Sequence, residues 1–250
     1  MSAAITVNDV AQRFGDRLIF DQVSFTVAVG EIFVVLGGSG CGKSTLLKQM
    51  IGLLAPSAGR ISVLGHDVAT ETDAVRRSIG VMFQSGALFG SMTLLQNITL
   101  PLTLFTDLPP SARRDIARLK LALVGLADAE NLLPGEISGG MAKRAAIARA
   151  LALDPPLLFL DEPSAGLDPI TGAGLDRLIL DLRAALDCTF VVVTHELQSI
   201  FAIADRCVML DRAAHGMIAL GRPGQLRDQS DNATVQAFFN RQATVQKRGL

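Results

Sequence analysis

Three short runs of the chain are apolar almost throughout: residues 31–37 (EIFVVLG), 156–162 (PLLFLDE) and 188–196 (CTFVVVTHE). Uninterrupted apolar runs of this length predict strands buried on both faces of a parallel sheet. Between the last two, Leu175, Leu178, Ile179, Leu182 and Leu186 recur at helical spacing, which predicts a crossover helix. Strand, helix, strand in this order predicts an α/β fold. Residues 5–29 read differently. ITVNDV and DQVSFTV alternate apolar and polar positions around a Gly15-Asp16 turn, which predicts an antiparallel strand group beside the main sheet. Residues 85–154 read as helix and loop, with Pro109-Pro110-Ser111 leading into a helix that Ser111 would cap. Near the end, Val235, Phe238 and Phe239 share one helical face before the polar stretch NRQATVQKRGL. Such a tail either packs on its own domain or reaches a neighbouring copy.

The chain has 250 residues, ample for a buried core. Its mean hydropathy of +0.38 and its 19% of charged residues suggest surface covered by other protein. No stretch approaches the roughly eighteen uninterrupted apolar residues of a membrane-crossing helix, so none is predicted. The N-terminus lacks the basic start and apolar run of a signal peptide. A formal net charge of -1 argues against broad nucleic-acid binding, and no nucleic-acid partner is expected. Cys41, Cys188 and Cys207 have neither pairing nor zinc spacing, which fits a reducing compartment.

The chemistry begins where the first buried strand ends. Gly37, Gly38, Ser39, Gly40, Cys41, Gly42, Lys43 and Ser44 fit G-x-x-x-x-G-K-[ST], between a predicted strand and a predicted helix. Glycines let successive N–H groups converge on phosphate oxygens. The following helix adds its free N-terminal donors and positive dipole end. Lys43 would meet the β- and γ-phosphates, Ser44 would offer a hydroxyl to Mg²⁺, and Thr45 would lie near the α-phosphate. ATP with Mg²⁺ is the expected cofactor pair. A thiol in this loop, Cys41, suggests inhibition by alkylation.

Asp161 and Glu162 end the strand LLFLDE, where unpaired carboxylates are costly unless employed. A strand beside the glycine loop would bring Asp161 to the metal shell, while Glu162 would orient or deprotonate a water. His195 ends another apolar strand. A lone histidine there is often structural, but ligands of parallel sheets bind outside the carboxyl ends of the strands, where Gly37, Asp161 and His195 all fall. The stretch ISGGMAKRAAIARAL places Ser138, Gly139 and Gly140 before another helix, a second anion-binding start or an ordinary cap.

Taken together, these motifs resemble those of the ATP-binding-cassette (ABC) transport ATPases over nearly the whole chain: the phosphate loop, a Q-loop at Gln84, a signature at 137–141, the strand-end carboxylates, a D-loop at 164–168 and the switch His195. The resemblance implies a P-loop NTPase (RecA-like) core with an antiparallel β-subdomain, covering residues 1–84 and 155–228. An inserted helical subdomain would cover 85–154 and a C-terminal tail 229–250. It implies catalytic roles for Glu162, His195, Lys43 and Gln84, and metal binding by Ser44, Gln84 and Asp161. It also implies two cassettes paired head to tail, the Lys43 loop of one facing Ser138, Gly139 and Gly140 of the other. Three positions depart from the common pattern. Gly38 stands where many relatives have proline, Met141 replaces a glutamine, and the adenine-stacking tyrosine falls on Phe14, with Phe20 the weaker candidate.

Within the family, FQSGALF at 83–89, the Met-ending signature and DEPSAGLDPIT at 161–171 resemble the ATPases of MCE-type lipid transporters. That resemblance implies phospholipid transport between the inner and outer membranes of a Gram-negative cell, with the chain peripheral on the cytoplasmic face of the inner membrane. The implied partners are an integral-membrane permease, a lipid-binding MCE subunit and a small STAS-domain subunit. Ala87, Leu88 and Phe89 would then meet the permease. The competing readings are the ATPase of another ABC importer, a soluble non-transport ABC ATPase and a purely regulatory nucleotide binder.

Overall fold

A computed structural model of the protein describes residues 3–241. The chain opens with β1 (Ala3–Phe14), β2 (Arg17–Ala28), β3 (Ile32–Gly37), α1 (Lys43–Met50), β4 (Ala58–Val63), β5 (His66–Asp67), α2 (Thr72–Ser78) and β6 (Ile79–Met82). A helical stretch follows: α3 (Leu94–Phe105), α4 (Pro110–Leu123) and α5 (Gly139–Ala150). Then come β7 (Leu157–Asp161), α6 (Pro169–Leu186), β8 (Thr189–Val193), α7 (Leu197–Ile203), β9 (Arg206–Asp211), β10 (Gly216–Gly221), α8 (Pro223–Gln229) and α9 (Ala233–Phe239).

The strands form two sheets. One is four-stranded and antiparallel in the order β2-β1-β4-β5; the other is six-stranded in the order β10-β9-β3-β8-β7-β6. In the larger sheet β6, β7, β8, β3 and β9 run parallel, and β10 closes one edge antiparallel. Strand period explains how both faces become buried. Phe33, Val35, Phe159, Val191 and Val193 point to the side that holds α1 and the smaller sheet. Val34, Leu36, Leu158, Leu160 and Val192 point to the other, where they meet residues of α3 to α7 and α9.

The α/β class, the β1–β2 hairpin around Gly15-Asp16 and the helix bearing Leu175, Leu178, Ile179, Leu182 and Leu186 agree with the sequence. Two expectations fail. β7 does not neighbour β3, because β8 lies between them. Asp161 approaches the glycine loop across one intervening strand. Ser111 caps nothing: α4 starts at Pro110, with Pro109 as its N-cap residue and no side-chain cap bond. Proline at the first helical position sacrifices no hydrogen bond, since that amide has no intrahelical partner. At the far end, Val235 and Phe239 of α9 are buried in the main core, so this part of the tail packs on its own chain. The tail residues 242–250 lie outside the described residues.

Candidate nucleotide site

The phosphate loop leaves β3 in a conformation that only glycine fits at two points. Gly37 has φ 144°, and a Cβ there would lie 2.2 Å from the Leu210 carbonyl oxygen. Gly42 has φ 102°, and its Cβ would lie 2.6 Å from Cδ1 of Phe20. Gly38 has neither constraint: its φ is ordinary for an L-residue and no atom lies within 4 Å of its Cβ position. That is the position where many relatives carry proline. Gly42 also serves as the N-cap residue of α1, so Lys43, Ser44 and Thr45 form its first turn with their amides free of helical partners. Lys43 Nζ donates to the carbonyls of Gly37 at 2.8 Å and Gly38 at 3.1 Å, which holds the ammonium over the loop. Cys41 turns inward. It is 1% exposed, its Sγ lies under Gly37, and burial pushes its thiol pKa up. A reactive thiol at the loop surface is therefore corrected to a core thiol.

At the same sheet edge, the carboxyl ends of β7 and β8 bring three further groups together. Glu162 is 8% exposed and sits in left-handed backbone, φ 46°. Its N–H donates to the Val193 carbonyl at 2.8 Å, and its Oε1 lies 2.8 Å from His195 Nδ1. Its other oxygen, Oε2, is buried with no hydrogen-bond partner. Gly37, Gly38, Ser39, Lys43, Glu162, His195 and Phe238 line one cavity of about 480 Å³. Asp161, half-buried at the strand end, has its pKa raised, first by burial and then by Glu162, while Lys143, Lys43 and Lys48 oppose the shift.

The two candidate stacking rings separate cleanly. Phe14 is half-exposed and lines a second cavity of about 280 Å³ with Arg17, Ile19, Gly40, Gly42, Lys43, Ser44 and Thr45. Phe20 is fully buried beneath Gly42 and offers no face to a ligand. Gln84 is exposed just past β6, and its carbonyl accepts from Lys143 Nζ. Beyond it, Leu88 packs on the helical core while Phe89 is exposed, its backbone N–H and carbonyl both bonded to Asn97.

Ser138 caps α5, accepting from the Met141 N–H at 3.2 Å. Ser138, Gly139 and Gly140 line neither cavity around the phosphate loop. A Cβ on Gly140 would meet Thr171 Cγ2 at 2.6 Å, so close packing against the start of α6 accounts for that glycine. The sequence reading missed Arg17, Phe238 and Lys143. Lys143 carried a signal: a cation among alanines on a helix the fold must bury. Phe238 was marked only as part of an apolar helical face, and it reaches the cavity through the docking of α9.

A strand-loop-helix phosphate cradle beside a strand-end carboxylate pair defines a P-loop nucleotide hydrolase. The ABC transporter family profile matches residues 20–165. The curated relatives agree. "Probable ribonucleotide transport ATP-binding protein mkl" of Mycobacterium tuberculosis is 44% identical over 244 residues, covering 96% of this chain and 67% of that protein. "Intermembrane phospholipid transport system ATP-binding protein MlaF" of Haemophilus influenzae is 41% identical over 236 residues, covering 93% and 89%. MlaF of Escherichia coli K12 is 42% identical over 219 residues, covering 85% and 81%. Among solved structures, cbiO1 from Clostridium perfringens, part of the transporter complex cbiONQ, superposes with a TM-score of 0.83 at 26% identity, covering 92% of each chain. The ATP-binding cassette MJ0796, dimeric in a post-hydrolysis state with ADP and Pi, gives 0.77 at 29% identity, covering 87% and 98%. The chain belongs to the ABC transporter family and is one of its ATPase subunits. Among the described residues, no helix is long and apolar enough to cross a membrane.

Proposed function

We propose that the chain hydrolyses MgATP between two head-to-tail copies and so drives an integral-membrane permease that moves phospholipid. The observation that carries the hydrolytic part is the buried, unpartnered Oε2 of Glu162, in a carboxylate whose other oxygen is tied to His195. A buried acceptor without a donor is expensive unless a ligand supplies one. A water in line with the γ-phosphate supplies that donor, and Glu162 takes its proton as general base. His195, donating from Nδ1–H, orients the carboxylate. Lys43 exchanges its loop carbonyls for phosphate oxygens, and Phe14 stacks on the adenine.

Among the described residues no cluster of three or more His, Cys, Asp or Glu could hold a metal by itself. The Ser44 hydroxyl, the Asp161 carboxylate and the Gln84 side-chain oxygen are hard donors that suit Mg²⁺ together with phosphate oxygens and water. Bound there, the metal neutralises charge on the β- and γ-phosphates.

Ser138, Gly139 and Gly140 lie outside both cavities of their own chain, which supports their serving a second copy. The two MlaF relatives support a phospholipid cargo, with a permease, an MCE subunit and a STAS-domain subunit as partners, and a peripheral position on the cytoplasmic face of the inner membrane. The mkl relatives favour a second reading in which a ribonucleotide is moved instead. Substituting Glu162→Gln is expected to lower turnover by about 10²–10⁴-fold while ATP binding is kept. Near-normal turnover in that variant would remove the assignment of the base. Transport by the reconstituted complex, assayed with labelled phospholipid and labelled ribonucleotide in parallel, decides the cargo.

A further inference from the structure

Lys143 lies on α5, past the Ser138 cap, and is 9% exposed. Its Nζ donates to the Gln84 carbonyl and, at 3.2 Å, to the Glu162 carbonyl. Three segments distant in sequence therefore meet at one ammonium: the signature helix, the Q-loop and the turn that carries the general base. Arg149, farther along α5, donates to the carbonyls of Ala87 at 2.7 Å and Gly86 at 3.0 Å. Both cations hold the Q-loop, but only Lys143 also reaches Glu162.

The backbone of Glu162 needs such support. A non-glycine residue in left-handed backbone is strained and persists only when its surroundings over-determine it. Three hydrogen bonds do so here: its N–H to Val193, and to its carbonyl the Ala165 N–H and Lys143 Nζ, each at 3.2 Å. Without Lys143 the carbonyl keeps only the Ala165 N–H of its own turn and loses its tie to α5, which loosens the peptide plane that aims the side chain. Misplacing a reacting group by about 1 Å can cost on the order of a hundredfold in rate.

We infer that Lys143 is a positioning residue that ties the signature helix to Gln84 and Glu162 of the same chain, so that seating of α5 on the partner copy's nucleotide aligns the general base at the chain's own site. The inference rests on the head-to-tail reading proposed above. A rigid cationic tether fits the role, because a charge-assisted donor holds two carbonyls at once and α5 moves as one body. Lys143 touches neither cavity, so it acts through Glu162 and Gln84 and not on the nucleotide.

The test uses the full chain in its reconstituted complex, with Lys143→Met, Lys143→Arg, Ser138→Ala and the Lys143→Met/Ser138→Ala double variant. Lys143→Met is expected to lower kcat by roughly 10–100-fold with KM for ATP within about twofold, and Lys143→Arg to recover most of kcat. Once Ser138 is gone, losing Lys143 should cost little more, so the two losses in kcat are non-additive. If Lys143→Met does not fold, Lys143→Gln, which keeps one donor, takes its place under the same criteria. Unchanged kcat, a loss confined to KM, failure of Lys143→Arg to rescue, or full additivity would each overturn the tether. A Ser138→Ala variant with normal turnover would instead overturn the head-to-tail reading, and the relay with it.

Discussion

Phe14, proposed to stack on the adenine, gives the sharpest separation from a ring that only folds. It ends β1 half-exposed, over a cavity that adjoins Lys43, Ser44 and Thr45. Stacking of a base on an aromatic ring is worth about 1–3 kcal/mol when removed by alanine. One face of this ring remains in water, so the lower part of the range applies. Phe14→Ala should therefore weaken ATP binding by about 1–2 kcal/mol, roughly 5–30-fold in Kd. Stability should hardly change, because the ring contributes little to either core. Phe20 is the control. It is fully buried against Gly42, and Phe20→Ala should cost about 3–5 kcal/mol of folding stability. The assay is calorimetric titration with MgATP and, in parallel, with inorganic triphosphate. Triphosphate keeps the phosphate contacts and lacks the base, so its affinity should be the same in Phe14→Ala and the unmodified protein. An unchanged affinity for ATP, or an equal loss for both ligands, would refute the stacking assignment.

Two further predictions concern the phosphate loop. Gly38→Pro should be tolerated in ATP binding and melting temperature, whereas Gly42→Ala should impair both, since its Cβ would press on Phe20 at 2.6 Å in a positive-φ backbone; equal behaviour of the two variants in titration and thermal melts would contradict this. Cys41 should resist iodoacetamide at neutral pH, because burial keeps the thiol protonated and out of reach. Mass spectrometry should find the alkylated loop only after denaturant is added, and rapid labelling of the folded protein would contradict it.

Much of the site was legible in the sequence because its chemistry is local. Gly37 to Ser44 need a strand before them and a helix after, and both are written in neighbouring apolar patterns. Asp161, Glu162 and His195 were readable for a similar reason: a polar residue ending an apolar strand lands at the carboxyl edge of the sheet. What the sequence withheld depends on long-range packing. The place of β8 between β3 and β7 is a matter of strand order, which no local pattern encodes. Phe14 and Phe20 lie on the two strands of one hairpin near the start of α1, and only the docking of that hairpin buries Phe20 under Gly42 and leaves Phe14 half-exposed. Ser111 looked like a cap, yet Pro110 had already set the helix start. Lys143 and Phe238 reach the site through a buried helix and a docked tail helix, and only the assembled core brings them there.

The head-to-tail reading places each nucleotide between two copies, and cysteine trapping tests this most directly. Ser39 lines the cavity that holds Glu162 and His195, and Ser138 lies on the separate α5 start, while the three native cysteines are buried and out of the way. A Ser39→Cys/Ser138→Cys chain in a Glu162→Gln background, treated with a short bifunctional thiol reagent, is predicted to form covalent dimers with MgATP and to remain monomeric without it. Crosslinks that form only within one chain, or dimers that ignore ATP, would contradict the account.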